Sequence, residues 1–199
     1  PEERLEYINT VEDIVTLNFE GGYPIVEEKG TAKSVDSHRA ENPILKDLLA
    51  FSIAVYDEKP CVYDNIVGLI YQNYIPWRNE LYKSEYAFQG GDATYGTFRI
   101  YFESVCTWLL DKIGQPNAFI DQQQYMTYKF VYFRRPDGGY LMDGDHHAPV
   151  FTNKFQYNDN AVHFLLGNYY KDSYLKWRYF KDRPLTDYTN QSLIGLSPA

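Results

Sequence analysis

The chain has 199 residues, 44% of them apolar and 23% charged, a globular composition with length enough for a real core. Its formal net charge of −8 argues against a general nucleic-acid or membrane-surface role, and no apolar run is long enough to span a bilayer. An anionic ligand stays open, because a local cluster of Arg and Lys can act against the global field.

Helical periodicity dominates from the start. The opening residues, PEERLEYINT, read as the interior of a longer protein, so a missing signal-peptide pattern says little about location. Leu5, Ile8, Val11, Ile14, Val15 and Leu17 follow the spacing of one helix face over residues 3–18, and Gly21-Gly22 ends it. Residues 23–42 form a long polar connection, a length more often functional than idle inside a compact domain.

That connection closes with SVDSHRAENP, where His38 and Glu41 sit three apart around Arg39. Two readings stand. Asp36, Ser37 or Asn42 caps the next helix while His38 and Glu41 face solvent, or the segment is one wall of an active site. A helix N-terminus supplies free amide donors and a positive dipole end, which favour an anionic ligand. Asn42-Pro43 reads as cap and first helical residue of a helix through Leu45, Leu48, Leu49, Ile53 and Ala54 to about Asp57.

Pro60 opens the following helix, with Tyr63, Ile66, Val67, Ile70, Tyr71 and Tyr74 on one stripe. Pro76 reads as its break, and residues 77–91 as a second long loop ending in Gly90-Gly91. A helix over about 94–113 carries Phe98, Tyr101, Phe102, Val105, Trp108 and Leu109, and Gly114 with Pro116 stops it. Its approach, YAFQGGDATYGTFRIYF, brings Gln89 and Asp92 in a polar run and sets Tyr95 and Arg99 four apart on one face. A cation beside a Tyr stabilises its phenolate, as a general base requires. The same spacing also fits an aromatic packing face with Arg99 stacked on it.

Asp121 reads as the cap of a helix to about Arg134, and RRPDGG as turn chemistry before short extended stretches. Asp143, Asp145, His146 and His147 invite a metal, but their spacing fits no zinc pattern, and adjacent side chains on an extended chain point apart; no metal is assigned. Helices over about 159–170 and 173–181 end the series, with His163 expected as a hydrogen-bonded core residue. Cys61 and Cys106 lie among apolar helical residues, as buried free thiols or as one disulfide. The 20 Tyr suit stacking on sugar rings and equally suit helical cores. Gly-rich nucleotide loops and a G-x-S-x-G elbow are missing, so phosphoryl transfer and serine hydrolysis lack support. The expectation is an all-α fold, a single helical domain over 1–199 with some seven helices in antiparallel hairpins.

In order along the chain, KSVDSHRAENP, QGGDATYGTFR and RRPDGG resemble the heparinase II/III group of polysaccharide lyases, nearest its heparinase II branch, over roughly residues 23–182. The resemblance implies part of an incomplete (α/α) toroid, its C-terminal part, whose companion β-sandwich domains lie outside these 199 residues. It implies β-elimination on uronic-acid glycosaminoglycans such as heparin or heparan sulfate, in the bacterial periplasm or outside the cell. Elimination removes the weakly acidic proton alpha to a carboxylate, so one group must neutralise that carboxylate, another must take the proton, and one must protonate the leaving oxygen.

By the resemblance Glu41 neutralises the carboxylate, His38 is the base for one uronic epimer, and Tyr95 is base or acid beside the leaving oxygen. Arg39, Gln89 and Arg99 would bind the acidic substrate. No cofactor is expected in this segment; the group's structural zinc and a further catalytic His belong to the β-domain. The expected partners are the acidic polysaccharide, the rest of the parent chain, and further copies of this one through exposed toroid surface. Two rivals remain: an α/α-toroid glycoside hydrolase using Asp92 and Glu41, and a helical polysaccharide-binding module without turnover.

Overall fold

A computed structural model describes residues 2–17, 43–85, 97–132, 136 and 157–182. Every regular element among these residues is helical, so the protein is all-α. The chain divides into two compact units, Pro1–Glu80 and Leu81–Ala199.

In the first unit α1 spans Glu2–Leu17, with Glu2 and Glu3 in its first turn, where acidic groups meet the positive end of the helix dipole. Its Ile8 is buried while Leu5 and Tyr7 face outward. A π-helical turn at Pro43–Leu48 leads into α2, Leu49–Ala54, and together they bury Ile44, Leu45, Leu48 and Leu49. Each such side chain removed from water contributes about 1.5–3 kcal/mol before chain entropy is charged against it.

After a tight turn comes α3, Pro60–Leu69, with Pro60 in the first turn, where its missing N–H costs nothing. It packs back against α2 as a helical hairpin. Polar contacts tie α1 to that turn: the Arg4 guanidinium donates to Glu58 and, at 3.3 Å, to the Ala54 carbonyl, and Lys59 pairs with Glu12.

The expected break at Pro76 is overturned. α3 widens into a π turn at Ile70–Tyr74, and α4 follows directly as Ile75–Glu85. The Ile75 N–H reaches back five residues to the Ile70 carbonyl. Pro76 then sits in the first turn of the continuing helix, and the wider ring before it changes which carbonyls need an N–H. The segment read as loop from residue 77 is therefore helical through Glu85, which raises the expected seven helices to eight α-helical segments among the described residues. Cys61 and Cys106 are both free; Cys106 is buried as expected, but Cys61 is exposed, because it lies on the outer side of the first turn of α3.

In the second unit α5 spans Thr97–Lys112. Gly114 closes it at φ 77°, with its own N–H on the Asp111 carbonyl at 3.0 Å and the Gln115 N–H on the Leu110 carbonyl at 2.9 Å. That pair of bonds is a Schellman closure, and the left-handed residue it demands is the expected glycine. A 3₁₀ turn at Asp121–Tyr125 precedes α6, Met126–Tyr132. Ile120, extended, is the cap position and no side chain caps it, so Asp121 is the first residue of the turn, where it meets the dipole, and not the cap.

The last hairpin is α7, Tyr157–Tyr169, and α8, Ser173–Asp182. α7 packs on α5, α6 and α8 around Ile100, Val105, Leu110, Met126, Val162, Leu166 and Leu175. Gly167 makes the close α7–α8 approach: a Cβ there would lie 3.0 Å from the Leu175 Cβ and 3.3 Å from the Lys176 nitrogen.

Candidate functional site

Of the residues expected at the active site, His38, Arg39, Glu41, Gln89 and Tyr95 lie outside the described residues, as do Asn42, Asp92, Asp143, Asp145, His146 and His147. Arg99 lies within them. It stands half-buried in the first turn of α5, a helix that buries side chains on almost every side.

Four residues on, Glu103 occupies the same helical row and is fully buried. A buried carboxyl group is tolerated only when its oxygens are partnered. Here Oε1 accepts from the Tyr82 hydroxyl of α4 and, at 2.8 Å, from Gln123 Nε2. Gln123, also fully buried, donates as well to Thr107 Oγ1 at 3.1 Å, and its Oε1 accepts the Tyr170 hydroxyl at 2.7 Å. Asn117 Nδ2 donates to that same hydroxyl at 3.2 Å, and Asn117 Oδ1 accepts the Phe119 N–H at 3.1 Å. Within the second unit, one network thus joins Tyr82 at the C-terminal end of α4, the α5 helix that carries Arg99, the 3₁₀ turn and the α7–α8 connection. His163 is also buried, with Nε2 3.3 Å from the Thr127 carbonyl oxygen, a hydrogen-bonded core residue as expected.

A second group of side chains lies at the surface. Asp172 Oδ1 accepts the N–H groups of Tyr174 at 2.9 Å and Leu175 at 3.0 Å, capping α8, while Oδ2 accepts the Tyr128 hydroxyl at 2.5 Å. Held this way, the Tyr128 ring stacks on Tyr174 with centroids 6.0 Å apart and planes 10° from parallel. Tyr174 meets Trp177 at 5.6 Å, and Lys181 Nζ lies 4.6 Å from the centre of the Trp177 ring.

Burial, and for Tyr128 its bond to Asp172, push the Tyr128 and Tyr170 phenols well above the ordinary tyrosine range. Both are hydrogen-bond donors at neutral pH and neither is poised as a base. Burial likewise raises the Cys106 thiol, which makes it inert as a nucleophile.

The sequence reading missed Glu103, although its spacing extends the Tyr95–Arg99 row by one further step of four. It also missed Gln123 and the surface rings of α8, for which the Tyr excess was the one available signal. No group of three or more His, Cys, Asp or Glu comes together among the described residues, and no described helix is long and apolar enough to cross a membrane. No protein-family model matches the chain, and neither does any curated protein.

Proposed function

We propose that the chain is part of the α/α toroid of a heparinase II/III-like polysaccharide lyase that cleaves heparin, heparan sulfate or a related uronic-acid polymer by β-elimination. The observation that carries the reading is the position of Arg99. It follows QGGDATYGTF directly and stands half-buried in the first turn of a helix whose Glu103 is held by Gln123. A guanidinium based on a rigid helix is suited to hold a carboxylate or sulfate in register, which elimination requires before the proton can be taken.

In this reading Glu41 neutralises the uronate carboxylate, so that charge developing on the enolate is shared. His38 takes the alpha proton from one epimer, and Tyr95 serves as base or as acid to the departing glycosidic oxygen. Arg39, Gln89 and Arg99 line the sugar path. The longer enzyme would work in the periplasm or outside the cell, with β-sandwich domains completing the groove. Tyr95→Phe in that enzyme should abolish turnover and leave substrate binding nearly intact. His38→Ala should slow one uronic epimer more than the other. Retained turnover in Tyr95→Phe would remove Tyr95 from the mechanism, and equal slowing of both epimers would remove His38 as an epimer-specific base.

A further inference from the structure

The exposed stripe of α8 carries rings and cations in a chain whose net charge is −8. Tyr174, Trp177 and Lys181 stand at i, i+3 and i+7, so they share one face of the helix. Tyr174 is 42% exposed and Trp177 49%, while Leu175 and Tyr179 carry the buried side. Residues 171–182 hold four basic and two acidic side chains, the reverse of the chain's overall balance. The stripe is also braced from behind: Tyr128, fixed by its bond to Asp172, lies nearly parallel to Tyr174, so that ring is set before any ligand arrives. Rings fixed in advance lose little rotamer freedom on binding.

We propose that Tyr174, Trp177 and Lys181 form a stacking subsite for an acidic polysaccharide, outside the cleavage site. The indole of Trp177 takes the apolar C–H face of a pyranose ring. The Lys181 ammonium, resting on that indole in the free protein, swings to the sugar's carboxylate or sulfate. A cation on an exposed ring is weakly held, so the exchange is easily made. Charge complementarity favours an anionic polymer over a neutral one, and the flat partly exposed rings favour sugar over a free anion. The identity of the polymer rests on the lyase reading; the subsite does not depend on turnover.

The test is calorimetric titration of the chain with a heparin-derived hexasaccharide, with a neutral dextran oligosaccharide and inorganic sulfate as comparisons. Heparin hexasaccharide should bind best. Trp177→Ala should weaken it by about tenfold or more, Trp177→Phe should keep most of the affinity, and Lys181→Ala should weaken binding and flatten its salt dependence. Circular dichroism melting of each variant separates lost binding from lost fold. No binding by the native chain, unchanged binding in Trp177→Ala and Lys181→Ala, or sulfate binding as tightly as the hexasaccharide would each overturn the subsite. A dimer in sedimentation equilibrium that Trp177→Ala dissolves, with no saccharide binding, would assign the stripe to self-association instead. Turnover is scored separately on the complete enzyme, so a failed elimination assay with intact Trp177-dependent binding sinks the lyase reading alone.

Discussion

The Asp172 carboxylate accepts from three donors: two backbone N–H groups at the start of α8 and the Tyr128 hydroxyl of α6. Asp172→Ala strips the cap and leaves a half-buried phenol without its acceptor. Chemical denaturation should show a loss of about 1–3 kcal/mol, and Asp172→Asn should recover most of it, because an amide oxygen still caps. The titrating side chains set the pH limits. Glu58 is held below the usual carboxylate range by its hydrogen bond from Arg4, so its stabilising effect is present above the unfolded pKa and lost as pH falls through the folded one. Tyr128, Tyr170 and Cys106 are all raised, chiefly by burial, so their stabilising effect is complete below their unfolded pKa values and lost as pH rises beyond them. Melting temperature should therefore fall as pH rises above about 9, with Cys106→Ala softening the fall; a flat alkaline profile would contradict these burials.

At the scale of elements, two closures of the same design carry different residues. The Asp172 N–H bonds the Gly167 carbonyl at 2.8 Å and the Lys171 N–H the Asn168 carbonyl at 3.3 Å, so α7 ends as α5 does, but with Lys171 at φ 58° in place of a glycine. Lys171→Gly should stabilise by about 0.5–1 kcal/mol by relieving the left-handed residue, net of glycine's greater unfolded freedom. Gly167→Ala should do the opposite and cost about 1–3 kcal/mol, since its Cβ would force α7 and α8 apart. Both are read by urea unfolding.

The elements also show what a sequence reveals. Pro60, Gly114 and the final hairpin were legible because helix starts and stops are written in backbone chemistry. α4 was not: its inner face reads Ile75, Arg78, Tyr82, and an Arg only 4% exposed breaks the apolar pattern while Trp77 points outward. Glu103 escaped for the same reason, since a charged residue on a helix reads as solvated until its partners are known, and those partners lie 20 and 21 residues away.

Across the whole molecule, the all-α class follows from composition and periodicity, whereas the way the hairpins pack on one another depends on long-range contacts that periodicity does not encode. The site divides likewise. The spacing of Arg99 from Tyr95 can be read from the sequence, but what fixes the helix that carries Arg99 is a polar network built from distant residues. The central claim is elimination, and the chemistry leaves a distinct mark, because it creates a double bond conjugated to the uronate carboxylate. The most direct measurement is ultraviolet difference absorbance during digestion of heparin, heparan sulfate and a non-sulfated polyuronide by the enzyme carrying this chain with its remaining domains. The account predicts rising absorbance on at least one uronic-acid polymer, abolished by Tyr95→Phe. New reducing ends without that absorbance, or no product from any of the polymers, would contradict it.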